Sequence, residues 1–298
     1  MLTNFQMVLD EAKKRGGGRI AIAGAESTAV LEAVRMGLEY GILKPVFVGN
    51  EEKIAALAKE IAFDLSGIPV HHRTKENDTA EKAVALVHAG EADGLMKGKV
   101  STPTLLKAVL NKKFNVRTDR LLSHIALLEV PTYHKFLLST DGGMVIRPTL
   151  EQKVGILKNG VEVMQKLGVE RPKVAVLAAI ETVNTDMPET VDAEALVRMA
   201  KKGDLGNVEV EGPLALDIAL SPEAARIKGV DSKITGDPDI LLVPDIASGN
   251  ILGKALWHLA GAKIAGLIVG ARKPIILLSR SDSAMTKLNS IALAVVTA

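Results

Sequence analysis

The sequence predicts an α/β protein in which short, mainly parallel strands alternate with helices. Short apolar runs recur along the chain, among them 19–23 (RIAIA), 45–48 (PVFV) and 239–243 (DILLV). Between them lie segments whose apolar residues repeat at helical spacing. Hydrophobic residues make up 47% of the chain and aromatic residues only 3%, so the core must be aliphatic, which suits Val/Ile/Leu strands and Ala-rich helices. Strands alternating with helices at this rhythm imply βαβ units and a sheet covered on both faces. The 298 residues suffice for a large core and two domains.

Phe5, Val8, Leu9 and Ala12 form one apolar face, so the chain opens with a helix, which Gly16-Gly17-Gly18 breaks. Residues 19–23 are the first strand, followed by the loop Gly24-Ala25-Glu26-Ser27 and a helix through Val30, Leu31, Val34 and Leu38. No second or third glycine completes a G-x-G-x-x-G fingerprint, which argues against dinucleotide binding; Ser27 is read as a helix cap rather than a ligand contact. A strand at 45–48, a helix at 51–61, a short strand near Val70 and a helix at 78–89 follow. Gly94-Leu95-Met96 then runs into Lys97-Gly98-Lys99-Val100-Ser101-Thr102-Pro103, where Thr102 is expected to cap a helix that starts at Pro103. Residues 123–130 and 135–139 read as adjacent strands. Asp141-Gly142-Gly143 breaks the pattern before a long helix at 150–167. A domain change is placed near residue 140, as a change of sheet rather than a flexible linker. The second half repeats the rhythm with strands at 173–177, 208–210 and 239–243, a helix at 193–201, and one carrying Leu252, Leu256 and Leu259. The last stretch reads as a buried strand at 275–278, a polar loop, and an amphipathic helix with Met285, Leu288, Ile291, Ala292 and Val295. Ser281, Asp282 or Ser283 is expected to cap that helix.

A formal net charge of +2 and a sequence pI near 8.6, without a basic stripe or stacking aromatics, argue against a nucleic-acid binder and suit a small anionic ligand. The chain has no cysteine, which removes disulfides, thiolate nucleophiles and Cys-ligated metals. Without a signal peptide or a long uncharged apolar segment, the expected setting is cytoplasmic, with no membrane partner. The six histidines show no metal-ligand spacing, and no Ser–His–Asp grouping or nucleophile elbow occurs; His124, inside an apolar strand, is the one that stands out.

Three polar corners fall at strand carboxyl ends, where open parallel sheets bind ligands. Lys97, Lys99, Ser101 and Thr102, together with helix amides, would suit a phosphate or pyrophosphate; the plainer alternative is a solvated basic loop, and the Walker spacing is missing. Asp245, Ser248 and Asn250 form a second corner, whose ordinary role is capping and Asx turns. Ser279-Arg280-Ser281-Asp282-Ser283 is the third, with an arginine flanked by hydroxyls and a carboxylate as an oxyanion-handling group would be. Three such corners in one chain favour a shared cleft.

LSRSDSA at 278–284, VPDIASGNILGKAL at 243–256 and EGPLALDIALS at 211–221 together resemble the phosphate acyltransferase family of phosphate acetyltransferases and phosphate butyryltransferases. KGKVSTPTLL, SHIALLEVP and STDGGMVIRP extend the likeness over nearly the whole chain, in the expected order. SRSDSA and SH-x-A-x-x-EVP are more similar to the butyryl branch, since the acetyl branch carries SRG followed by an acidic cluster. The resemblance implies acyl-CoA + phosphate = acyl phosphate + CoA, with coenzyme A a substrate and no resident cofactor or metal. It also implies two doubly wound α/β domains with a cleft between them, similar to isocitrate dehydrogenase: a discontinuous first domain (1–138 plus 278–298) and a second domain (139–277), in a homodimer or an assembly of dimers.

Both substrates are anionic, and the acyl oxygen gains charge as the tetrahedral species forms. A guanidinium offers rigid forked donors for such charge, and each fixed donor aimed at it contributes about 3 kcal/mol. Arg280 is the candidate, with Ser279 as a second donor. The CoA thiol must lose a proton, which calls for a base within reach. With no cysteine to carry the acyl group, direct transfer in a ternary complex is the natural route. Thr286 stands six residues after Arg280, where the acetyl branch has its proposed catalytic aspartate and butyryl-type members often an acidic residue. Asp282 is the nearest carboxylate, as base or as helix cap, with Asp141 and Asp245 as alternatives. Lys107 lies where a second phosphate-site arginine is expected, and Lys97 and Lys99 are alternative phosphate ligands. Ser101, Thr102, Ser248, Asn250, Ser281 and Ser283 complete the substrate-binding candidates. Competing readings are an acetyl-CoA enzyme, a non-catalytic acyl-CoA-binding protein with a decayed site, and a nicotinamide-dependent oxidoreductase, the last opposed by the missing glycine fingerprint and metal-carboxylate cluster.

Overall fold

A computed structural model describes residues 1–279 and 282–298. The chain alternates as foreseen. Helix α1 (Phe5–Lys14) buries Phe5, Val8, Leu9 and Ala12. It is followed by β1 (Gly18–Ala23), α2 (Thr28–Glu39), β2 (Leu43–Gly49), α3 (Glu51–Glu60), β3 (Val70–His72), α4 (Glu76–His88), β4 (Gly94–Lys97) and α5 (Thr102–Leu110). Then come β5 (Ser123–Glu129), β6 (Leu137–Thr140), α6 (Leu150–Lys166), β7 (Lys173–Leu177), α7 (Pro188–Lys202), β8 (Glu209–Leu214), α8 (Leu216–Leu220), α9 (Pro222–Lys228), β9 (Ile240–Leu242) and α10 (Ile246–His258). The chain continues through β10 (Lys263–Val269), β11 (Ile275–Ile276) and α11 (Ala284–Thr297). Strand β10 and the short helices α8 and α9 were not expected from the sequence.

Two compact units result: residues 5–120 with 265–298, and residues 1–4 with 121–264. The divisions therefore fall at 120/121 and 264/265 rather than near 138 and 278. The pairing of strands explains the difference. Strand β5 is hydrogen-bonded antiparallel to β6, with Ala126 opposite Ser139, so it stays with the unit that β6 opens. Strand β11 lies parallel to β4, with Ile275 opposite Leu95, and antiparallel to β10, which draws 265–278 into the other unit.

In the unit 5–120/265–298 the strand order is β3-β2-β1-β4-β11-β10, with β1, β2, β3, β4 and β11 parallel. Its core is largely aliphatic: Ile20, Ile22, Leu31, Ile54, Leu95 and Met96 are buried, with Phe5 and Phe47 among the few aromatic exceptions. Helix α11 is expected to be amphipathic, yet every residue from Thr286 through Thr297 is buried. Ser290 is satisfied inside the unit: its Oγ donates to the Thr286 carbonyl (2.8 Å) and accepts the Gly266 N–H (3.0 Å). Full burial of each of Leu288, Ile291 and Leu293 contributes about 1.5–3 kcal/mol, so α11 is a central core element.

In the unit 1–4/121–264 the order is β5-β6-β9-β7-β8, parallel except for the β5–β6 hairpin. Leu128, Leu137, Ala175, Leu177, Leu241 and Val243 pack with Ile218 and Ile234 into its core. Helix α6 starts with a capping box: Thr149 accepts the Gln152 N–H and the Gln152 side chain accepts the Thr149 N–H.

Candidate functional site

In the unit 5–120/265–298, β2 and β3 lie on one side of β1 while β4 and β11 lie on the other. The winding direction thus reverses between β1 and β4, and the crevice beyond the carboxyl ends of two such strands is where open α/β sheets bind ligands. A cavity of about 230 Å³ lies there, lined by Glu26 and Ser27 after β1, Lys97 to Lys99 at the end of β4, Leu278 and Ser279 after β11, and Lys287 of α11. Its floor is two peptide segments in close approach. The Gly98 and Lys99 N–H groups donate to the carbonyls of Ala23 (2.8 Å) and Gly24 (2.6 Å). A Cβ on Gly98 would run into the Gly24 carbonyl, and Gly24 itself sits at φ +78°, a region that glycine adopts without steric cost.

The cavity carries three ammonium groups. Lys97 is 8% exposed, and its Nζ donates to the Gly98 and Val100 carbonyls at 3.3 and 3.4 Å. Lys99 is exposed. Lys287 is 4% exposed, and its Nζ donates to the Asp282 carbonyl. Burial pushes the Lys287 ammonium below the ordinary lysine pKa, against the raising influence of Asp282. The opposing carboxylate, Glu26, is held away by its own bond, Oε1 accepting the Asn50 N–H at 2.6 Å. Gly49 makes room for it, since a Cβ there would lie 2.7 Å from Glu26 Oε2. Ser27 occupies the N-cap position of α2 with no side-chain capping bond, so its hydroxyl is a cavity group rather than the cap foreseen.

The loop from β4 into α5 corrects one assignment. Ser101, not Thr102, is the cap: Ser101 has extended backbone and its Oγ accepts the Thr104 N–H, while Thr102 opens the helix and Pro103 is second. The Ser101 N–H donates to Glu76, and its hydroxyl donates to Thr104 Oγ1 at 2.8 Å. In the last loop, Ser279 is exposed and its N–H donates to Asp282 Oδ2 at 2.7 Å. Asp282 therefore ties the loop together, and Ser283 caps α11 by accepting the Thr286 N–H at 3.1 Å. Thr286 is 5% exposed, with its Oγ1 3.1 Å from Ser283 Oγ. Arg280 and Ser281, the centre of the anticipated oxyanion site, lie outside the described residues.

The other anticipated residues gather in the unit 1–4/121–264, beyond the parallel ends of β6 and β9. Asp141 is 2% exposed and its carboxylate is fully engaged. Oδ1 accepts the N–H groups of Gly143 and Met144 (both 2.8 Å), and Oδ2 those of His124 (3.0 Å) and Val145 (3.3 Å). It fixes the turn after β6 and holds β5 beside it. Asp245 is the N-cap of α10, accepting the N–H and hydroxyl of Ser248, both at 2.8 Å. The Ser248 N–H, then its hydroxyl, with smaller help from Ala247 and Arg147, hold the Asp245 carboxyl below the usual range. Asn250 Nδ2 donates to the Gly142 carbonyl at 3.4 Å, close to where Gly142 and Gly249 meet with no room for a Cβ on either.

The structure thus brings Lys97, Lys99 and Ser279 to one cavity and adds Glu26, Ser27 and Lys287, which sequence reasoning did not assign to a ligand. Helix-terminal position was the available signal for Ser27; for Lys287 it was a lone cation in an otherwise uncharged helical stretch. Among the described residues, no cluster of three or more His, Asp or Glu side chains could hold a metal ion, and no helix is long and apolar enough to cross a membrane.

Comparison with known proteins accords with the motifs. Residues 69–295 match the family described as phosphate acetyl/butaryl transferase. A phosphate butyryltransferase from Clostridium acetobutylicum is 40% identical over 298 residues, covering 100% of this chain and 99% of that protein. A phosphate acetyltransferase from Thermotoga maritima is 40% identical over 292 residues, 98% of this chain and 99% of the relative. The crystal structure of a branched-chain phosphotransacylase from Enterococcus faecalis V583 superposes with a TM-score of 0.83 at 36% identity, covering 94% of this chain and 98% of that one. With matched residues spanning most of its length, the chain belongs to the phosphate acetyl/butyryl transferase family.

Proposed function

We propose that this protein transfers a short acyl group, butyryl or similar, reversibly between coenzyme A and inorganic phosphate. The observation that carries the reading is the full-length likeness to a phosphate butyryltransferase. The lysine-lined cavity at the β1/β4 switch point supports it, because phosphate and the phosphates of CoA are anions that such a site attracts. Lys97 and Lys99 bind phosphate, with Ser101 and Thr102 at the adjoining helix start. Arg280 stabilises the acyl oxyanion, and Ser279 supplies a second donor. Ser281 and Ser283 are further substrate-binding candidates. Asp282, Asp141, Asp245, Ser248 and Asn250 shape their loops through the hydrogen bonds above, and Asn250 keeps a partly uncommitted amide for substrate. With no cysteine to form an acyl-enzyme, the acyl group passes directly between substrates held together, a geometry that supplies much of the rate by proximity. Coenzyme A is a substrate here, the setting is cytoplasmic, and the working form is a homodimer or an assembly of dimers, which light scattering of the purified protein checks.

The test follows free thiol on mixing the protein with butyryl-CoA and phosphate. Phosphate-dependent release is expected; none with any C2 to C6 acyl-CoA refutes the reading. The equal identity to a phosphate acetyltransferase makes acetyl-CoA the second substrate to examine. Arg280→Ala is expected to lose about 3 kcal/mol of transition-state stabilisation, roughly a hundredfold in kcat/KM.

A further inference from the structure

Thiol transfer needs a group that exchanges a proton with sulfur. A CoA thiol resembles cysteine, with a pKa near ~8.5, whereas ordinary carboxylates lie near ~4 and ordinary lysines near ~10.4. Proton exchange is most efficient between well-matched partners near the working pH. The two carboxylates at hand are engaged in holding loops: Glu26 by the Asn50 N–H and Asp282 by the Ser279 N–H. Lys99 is exposed to water.

Lys287 differs from all of these. It lies in the first turn of α11, its side chain is buried, and it lines the cavity that Ser279 and the β4 lysines also line. Its ammonium is anchored on a neutral partner, the Asp282 carbonyl, by a hydrogen bond that a lone amine can still make. The charged side chains around the cavity are Glu26 from the loop after β1, Lys97 and Lys99 from the end of β4, and Asp282 from the loop before α11; Arg280 of that loop is outside the described residues. Burial favours the neutral amine over the ammonium and outweighs the opposing pull of Asp282.

We propose that Lys287 is the catalytic acid–base of the reaction. This rests on the phosphate acyltransferase reading above. As CoA attacks acyl phosphate, the neutral Lys287 amine takes the thiol proton, the sulfur forms a bond to the acyl carbon, and the carbon–oxygen bond to phosphate breaks. The phosphate leaves with the bonding pair. In the opposite direction, phosphate oxygen attacks the thioester carbon, the carbon–sulfur bond breaks, and the Lys287 ammonium returns its proton to the departing thiolate. Burial moves the lysine toward the thiol's own pKa, which serves both directions.

The experiment measures kcat and KM for butyryl phosphate and CoA from pH 6 to 10, with the unaltered protein, Lys287→Arg and Lys287→Gln. Arginine keeps the charge but stays protonated throughout. The expected result is a rate that rises with pH in the unaltered protein, and a fall in kcat of about a hundredfold or more in both variants. The residual rate of the variants follows only the ionisation of the CoA thiol near ~8.5, with KM changed less than about threefold. Lys287→Arg retaining most of kcat overturns the proposal while leaving the acyltransferase reading intact. An unaltered protein with no transfer activity overturns both. Should neither variant fold, the pH dependence of Lys287 acetylation in the unaltered protein, read by peptide mass spectrometry, decides the matter. A midpoint below the ordinary lysine value with shielding by CoA is expected; an ordinary midpoint, or no shielded reaction, overturns it.

Discussion

Asp141→Asn separates a structural carboxylate from a substrate ligand. The Asp141 oxygens accept four main-chain N–H groups, two each, at 2.8 to 3.3 Å, in a site where the residue is 2% exposed. Asparagine keeps one acceptor oxygen and turns an amide N–H₂ toward the other pair. Whichever way it lies, two part-buried main-chain donors face a donor. An unsatisfied buried donor costs about 1–3 kcal/mol, so the pair, partly reached by water, amounts to about 2–3 kcal/mol. Urea unfolding followed by far-ultraviolet circular dichroism is the assay, with a parallel measurement of KM for each substrate at a temperature where the variant is folded. The structure requires a large drop in the unfolding midpoint and little change in KM. A loss of under about 1 kcal/mol, or a KM effect with unchanged stability, would refute the reasoning and return Asp141 to the substrate site.

Other consequences are equally direct. Gly98→Ala forces a Cβ into the Gly24 carbonyl, and calorimetry should show a loss of about 3 kcal/mol, at the upper end of overpacking, together with loss of activity. Ser283→Ala removes the α11 cap and should cost about 1 kcal/mol in urea unfolding; no change would mean that the buried length of α11 alone fixes its start. Asp237 is buried enough to disfavour its charge, yet bonds from Lys135, Lys173 and His134 prevail and hold its carboxyl well below the usual range. A depressed carboxylate contributes stability that is complete above the unfolded value near ~3.9 and is lost as pH falls through the folded one. The stability gap between the unaltered protein and Asp237→Asn should therefore be constant near neutrality and close on acidification below about pH 4, and a gap that widens there contradicts the bond geometry.

Much of this fold is legible in the sequence because its signals are local. The stripe Phe5, Val8, Leu9 and Ala12 and the run after Gly16-Gly17-Gly18 specify α1 and β1 through spacing alone. Helix α11 shows the limit: its period is readable, but its small and polar residues, among them Asn289, Ser290 and Ala294, look like a solvent face until neighbours close around them. Strand β10 escapes the reading although its run KIAGLIV is apolar, because the small residues Ala265 and Gly266 sit in the middle of it and blur the strand pattern. In the site, Lys97, Lys99 and Ser279 are readable because strand ends are. That Glu26, Ser27 and Lys287 join them depends on β1 lying beside β4 and β4 beside β11, pairings between segments far apart in the chain. Asp141-Gly142-Gly143 does carry the signature of an Asx-stabilised turn, and the multiple bonds to its carboxylate are that signature realised.

The place of α11 and β11 also has a consequence for how the molecule is made. Residues 5–120 emerge from the ribosome early, yet the strand that flanks β4 and the helix buried in their core arrive only with residues 275–297. The unit of residues 1–4 and 121–264 is complete before then. The usual order, in which the earlier domain folds first during synthesis, is thus inverted: the opening segment waits with an unfilled core until the final stretch is translated. Such a nascent chain is exposed to proteolysis and to chaperones for longer than its length suggests.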